Sequence, residues 1–195
     1  MHERMESIKT MTAHKPALRE HLILVVVAAV ALVIDQFCKR WVEANIPVGF
    51  TLAPIEFISP YLTLTNTQNT GAAFSILRNG GMFFIIIAVV VSGMILYYAP
   101  RLPAGDRASR VALGMQLAGA LGNLIDRLRQ GYVTDFIHLQ IPQINFDWPV
   151  SNIADICIVG GVILLIVITF KRERDQQKVS EAEEPAAAHQ EKMKP

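Results

Sequence analysis

Residues 119–136 read GALGNLIDRLRQGYVTDF, and after a short loop residues 148–155 read WPVSNIAD. These two segments hold Asn123, Asp126, Arg127, Asp135, Asn152 and Asp155 in a chain otherwise rich in Leu, Ile, Val and Ala. Ionisable groups beside bilayer-length apolar segments are expensive, so each marks a functional site by default. The chemistry such a set supports is a pair of aspartates hydrolysing a bond at a membrane surface.

Composition agrees with a membrane setting. Of 195 residues 52% are hydrophobic, and the mean hydropathy of +0.35 is too apolar for an ordinary soluble domain. The apolar residues are also gathered into long runs, as membrane helices require. A net charge of +1 gives no global field for nucleic acid. Cys38 and Cys157 sit in or beside apolar runs without metal-ligand spacing and read as small buried thiols. His2, His14 and His189 lie in the tails, and neither His21 nor His138 sits in a serine–histidine or HExxH arrangement.

Outward from the opening stretch, four spanning helices are expected at about 22–41, 81–99, 109–129 and 152–170. The first follows a basic N-terminal segment but lacks a small-x-small cleavage site, so it reads as retained rather than as a signal peptide. Trp41, and later Tyr97 and Tyr98, suit the bilayer interface. The third helix starts near a cap at Ser109 or Asp106, and its Gly114, Ala118 and Gly122, spaced by four, allow close helix contact. Ser151 or Asn152 would cap the fourth.

The 42–79 connection is broken by Pro47, Gly49, Pro54 and Pro60, with short strand-like runs at 50–52, 56–58 and 61–65. A small β-rich platform between helices one and two is therefore expected. Residues 131–149 read as turn, short strands and turn. The fold class is a mainly α membrane protein: residues 1–174 form one domain and residues 175–195, poor in large apolar side chains, a disordered tail.

Lys and Arg cluster in the N-terminal segment, in the 100–110 loop and after Lys171, whereas residues 130–150 carry none. The positive-inside rule then puts both termini in the cytoplasm and makes the platform periplasmic. Asp35, Asn69, Asn123, Asp126, Arg127, Asp135, Asn152 and Asp155 all map to that one outer face. This convergence is stronger than any one residue. Asn123, Asp126 and Arg127 share a helix face by spacing, although a snorkelling Arg127 would explain part of it. Asp155 in a first turn is favoured by the helix dipole without any catalysis. Two carboxylates sharing one proton could activate water and protonate a scissile carbonyl. Spacing alone leaves Asp35 and Asp126 as rivals to Asp135 and Asp155.

The segments DQFCK (35–39), NTGAAF (69–74), GALGNLIDR (119–127), VTDF (133–136) and NIAD (152–155) together resemble the lipoprotein signal peptidases, the type II signal peptidases of bacterial inner membranes. That resemblance implies an aspartic intramembrane endopeptidase that cleaves prolipoproteins before their diacylglyceryl-modified cysteine. It implies Asp135 and Asp155 as the catalytic pair. Asn69, Gly119, Asn123, Arg127 and Asn152 would be substrate-binding or supporting, and Asp35, Lys39 and Asp126 structural. It further implies contact with membrane lipids, inhibition by the cyclic peptide globomycin, and no metal or organic cofactor. Ser151, where an aromatic is usual, and Ile156, where a small hydroxyl residue often stands, depart from the pattern. An ion transporter built on the same polar residues would place charge at mid-span, and helices two and four lack it. A scaffold without chemistry would tolerate changes at the aspartates.

Overall fold

The computed structural model describes residues 18–71 and 80–191. Arg4, Lys9 and Lys15, and residues 72–74 of the NTGAAF segment, lie outside the described residues. Four long helices carry the chain: α1 (Leu18–Asn45), α2 (Gly80–Tyr98), α3 (Arg107–Gln130) and α4 (Ile153–Glu191). Three of them, α1, α2 and α4, are long and apolar enough to cross a membrane. Large apolar side chains such as Phe37, Leu96 and Val159 stand exposed along them, as lipid contact requires.

The third expected helix behaves differently. Arg110, Asp126, Arg127 and Arg129 make α3 too polar to qualify by composition. It packs against each of α1, α2 and α4 and is buried along most of its length. Arg110, Asn123 and Asp126 are buried there and therefore meet protein rather than lipid. Small residues make that central position possible. A Cβ at Gly119 would strike the Ala154 carbonyl oxygen and stand 2.6 Å from Ile158 Cγ1, and one at Gly122 would stand 2.6 Å from Asp35 Oδ2. Of the two cap candidates Asp106 is used, its Oδ1 accepting from Ser109 N at 3.2 Å, so α3 begins two residues earlier than expected.

Helical structure in α4 continues from Phe170 to Glu191, where hydropathy alone suggests an end and a disordered tail from 175. Lys, Arg, Glu, Gln and Ala dominate that extension, and such residues prolong a helix once it is nucleated. Arg172 ties its base to the α2–α3 loop through an ion pair with Asp106 Oδ1 of 2.6 Å.

The sheet is four-stranded, antiparallel and ordered β1-β2-β3-β4. Strands β1 (Thr51–Leu52) and β2 (Leu62–Asn69) come from the α1–α2 connection; β3 (Val133–Ile141) and β4 (Phe146–Asp147) come from the α3–α4 connection. The platform thus belongs to both connections, not only to the segment between helices one and two. Neither connection supplies enough strand to stand alone. Residues 56–58 form a 3-10 turn rather than a strand. Prolines on both sides of that segment leave it too short to join a ladder, and Ser59 closes the turn on the Glu56 carbonyl.

Candidate active site

Alternation along β3 sets the first carboxylate. Phe136 packs with Val42 and Ile46 of α1, and Thr134 Oγ1 donates to Glu43 Oε1 at 2.6 Å. Side chains of a strand alternate faces, so Asp135 points the other way. It is 3% exposed. A bulge in β2 between Leu64 and Thr67 shifts the register so that Thr67 lies opposite Asp135. Asn69, two residues on, is then the diagonal neighbour on the same face, and its Nδ2 donates to Asp135 Oδ2 at 2.9 Å. The Asn69 oxygen accepts from Gly71 N at 2.9 Å. Gly71 has φ +76°, and a Cβ there would meet the Phe84 ring at 2.7 Å, so the turn needs glycine twice over.

On the opposite edge of β3, Ser151 bridges Ile137: Ile137 N donates to Ser151 O at 2.7 Å and Ser151 N to Ile137 O at 2.9 Å. Both bonds are main-chain, so the placement does not depend on the side chain at 151. The bridge sets Asn152 beside Asp135, where Nδ2 donates to Asp135 Oδ1 at 2.6 Å. Asn152 is also the N-cap of α4, its oxygen accepting from Asp155 N at 2.9 Å. One amide therefore joins both aspartates. Asp155 sits in the first turn of α4 and accepts from Asn123 Nδ2 at 2.8 Å. Ile156, 52% exposed, turns outward.

Beneath this layer lies a buried ionic cluster. Lys39 Nζ contacts Asp35 Oδ2 at 3.0 Å, Asp126 Oδ2 at 2.9 Å and Asn123 Oδ1 at 3.0 Å. An ammonium has three protons, and these are three acceptors. Fixing Asn123 Oδ1 in this way turns its NH2 toward Asp155. Asp35 Oδ1 accepts from Ala154 N at 2.9 Å, relieving a second free donor of the α4 N-terminus. Gln36 Nε2 reaches Asp126 Oδ1 at 3.0 Å and the Gly122 carbonyl at 3.3 Å.

Electrostatics distinguish Asp135. Burial pushes its carboxyl up from 3.8 to about 6; the hydrogen bond from Asn69 pulls against this, and the charge of Asp155 adds to the rise. A cavity of about 290 Å³ opens between α2, α3 and α4, with Asp155, Asn123 and Arg127 on its wall and Phe84, Ile87, Val91 and Ile158 supplying the apolar remainder. The Arg127 guanidinium stands over the Phe84 ring at 4.8 Å and donates to the Asn123 carbonyl at 3.3 Å.

The structure thus joins Asp135, Asp155, Asn69, Asn123 and Asn152 in one hydrogen-bonded network, with Arg127 at its cavity side. Asp35, Lys39 and Asp126 form the layer below. Gly119 is not on the cavity wall; it lets α4 approach α3. Sequence reasoning missed Gln36, Phe84 and the Glu43–Thr134 contact. An amide at position 36 inside an apolar helix was a usable signal. Phe84 had none, being one aromatic in an apolar run. Among the described residues no group of three or more His, Cys, Asp or Glu is arranged to hold a metal ion.

Comparisons with known proteins bear on this geometry. Residues 27–171 match the signal peptidase (SPase) II family. A lipoprotein signal peptidase of Xanthomonas campestris pv. campestris (strain 8004) is 39% identical over 146 residues, 73% of this chain and 84% of that protein. The lipoprotein signal peptidase of Streptococcus pyogenes serotype M2 (strain MGAS10270) is 40% identical over 151 residues, 77% of this chain and 93% of that protein. A bacterial membrane enzyme solved by the in meso method at 1.9 Å superposes with a TM-score of 0.71 at 31% identity, covering 82% of this chain and 98% of that one. A second, solved at 2.3 Å, gives 0.69 at 32% identity, with 78% and 90% covered. The family match overlaps each of the four helices and takes in every residue of the polar network, and on that ground the chain belongs to the signal peptidase II family.

Proposed function

We propose that this chain removes signal peptides from prolipoproteins as an intramembrane aspartic endopeptidase, cutting on the N-terminal side of the diacylglyceryl-modified cysteine. The observation that carries the reading is the amide of Asn152, which holds Asp135 through Nδ2 and the Asp155 main chain through Oδ1. Asp135 and Asp155 act as the dyad. Asp135, raised to about 6 by its burial, holds a proton and protonates the scissile carbonyl. Asp155, at the cavity wall, takes a proton from the attacking water.

Asn69, Asn123 and Asn152 orient the carboxylates, Arg127 faces the substrate across the cavity, and Gly119 positions α4. Asp35, Lys39 and Asp126 hold the layer beneath. All four helices span the bilayer: α3 has 24 residues, roughly 36 Å of helix at 1.5 Å per residue, and its Asn123 and Asp126 are buried among the other three. Both termini face the cytoplasm of a bacterial inner membrane, and the sheet and dyad lie on the periplasmic side. Residues 1–174 form the catalytic domain. Globomycin occupies the cavity beside Asp155.

Purified enzyme and a diacylglyceryl-modified prolipoprotein, followed by gel shift, test the reading. Asp135→Asn and Asp155→Asn should each lower turnover by about 10²-fold or more, the range for loss of a general acid or base. Near wild-type cleavage by either variant refutes the dyad. Equal processing of an unlipidated substrate refutes the lipid requirement, and unaltered turnover at saturating globomycin refutes the shared site.

A further inference from the structure

Gln116 lies on the wall of the same cavity, seven residues before Asn123 on α3. Two helical turns put it roughly 10 Å from the Asn123 level, toward the middle of the helix. Its Nε2 is buried and finds no hydrogen-bond partner among the described residues. The side chain is seated rather than free: a Cβ at Gly161 of α4 would stand 2.7 Å from Gln116 Cγ, so the bare backbone there makes room for the stem. An unpaired amide donor in an apolar groove is costly, and the terminal torsion of glutamine is soft enough to turn toward an entering acceptor.

The depth of this donor decides what it can meet. Two turns below the dyad level, an acyl chain offers only methylene groups, since lipid ester carbonyls stay near the headgroups. A peptide segment unwound for cleavage brings main-chain carbonyls that have lost their helical partners. We propose that Gln116 is a substrate-binding residue whose amide donates to a main-chain carbonyl of the signal peptide. At about 3.3 Å per extended residue, roughly 10 Å corresponds to the third residue before the scissile bond. The inference rests on the dyad reading above.

A double-mutant cycle between enzyme and substrate tests it. Lipidated peptide substrates carry an (E)-alkene in place of one amide at successive bonds from the second to the fifth residue before the cleavage point. Wild-type enzyme should lose about 3- to 10-fold in kcat/KM at one bond near the third residue, the effect of one net hydrogen bond. Gln116→Met should lose a similar factor on the all-amide substrate and nothing further on that alkene. A flat alkene scan with wild-type enzyme overturns the proposal whether or not the variant folds, and so do losses that multiply in the cycle. An effect of Gln116→Met that vanishes with shortened acyl chains assigns the donor to lipid and also overturns it. Retained turnover by Asp155→Asn would instead remove the dyad reading and leave the Gln116 cycle readable.

Discussion

Replacing Lys39 by Met removes the only ammonium from a site that is closed to solvent: Lys39 and Asp126 are 0% exposed and Asp35 1%. Two carboxylates then face each other's charge without the ammonium between them, although Asp35 keeps the Ala154 N–H and Asp126 keeps Gln36. Breaking a buried pair by removing one partner costs about 3–5 kcal/mol. At roughly 2–4 °C per kcal/mol for a chain of this size, the thermal midpoint should fall by on the order of 10 °C. Lys39→Met/Asp35→Asn/Asp126→Asn removes the stranded charges and should recover most of that loss. Tryptophan fluorescence during thermal unfolding in detergent micelles measures both. The single variant should also lose about 10-fold in kcat/KM, since Asn123 Oδ1 is no longer pinned by Nζ at 3.0 Å and its NH2 is less firmly aimed at Asp155. A Lys39→Met midpoint within about 2 °C of wild type refutes the view of this cluster as charge-paired, on the same scale. Failure of the triple variant to recover refutes the stranded charges as the cause.

Three further outcomes are expected. The Asp135 carboxyl lies at about 6 against an ordinary 3.8, so the folded state binds a proton that the unfolded state has released in between. Its protonation adds stability that is fully present below about pH 3.8 and lost as pH rises through about 6. The midpoint of wild type relative to Asp135→Asn should therefore fall from pH 4 to pH 7, by the equivalent of about 2–3 kcal/mol at 1.36 kcal/mol per pKa unit; a flat difference contradicts it. Gly119→Ala drives a methyl into the Ala154 carbonyl and Ile158, and the separation of α3 from α4 should cost on the order of 10²-fold in cleavage, checked by gel shift against a folded control. Truncation after Arg174 keeps the Arg172–Asp106 ion pair and should leave cleavage within about 2-fold of wild type, since surface changes away from packed features usually stay within about 0.5 kcal/mol.

Much of this was legible from residue order. Long apolar runs marked α1, α2 and α4, because bilayer length and hydropathy are local properties of a segment. Small residues spaced by four on α3 forecast the close contacts that Gly114 and Gly122 make. The polar residues of the site, from Asp35 to Asp155, were visible as costs that an apolar chain would not otherwise carry. Helix ends were less secure, as the α4 extension to Glu191 illustrates, because propagation depends on the helix already formed.

What order alone left open was partnership. Nothing in the spacing of Asp35, Asp126, Asp135 and Asp155 separates two carboxylates that bind one lysine from two residues joined through the Asn152 amide. That division appears only when α1 brings Lys39 between Asp35 and Asp126. Likewise the pairing of β2 with β3, and the bulge that aims Asn69 at Asp135, joins segments about 66 residues apart. Hydrophobicity is read one residue at a time and so survives in the sequence. A hydrogen bond needs two groups within about 3 Å, and for distant segments only the folded chain fixes which two.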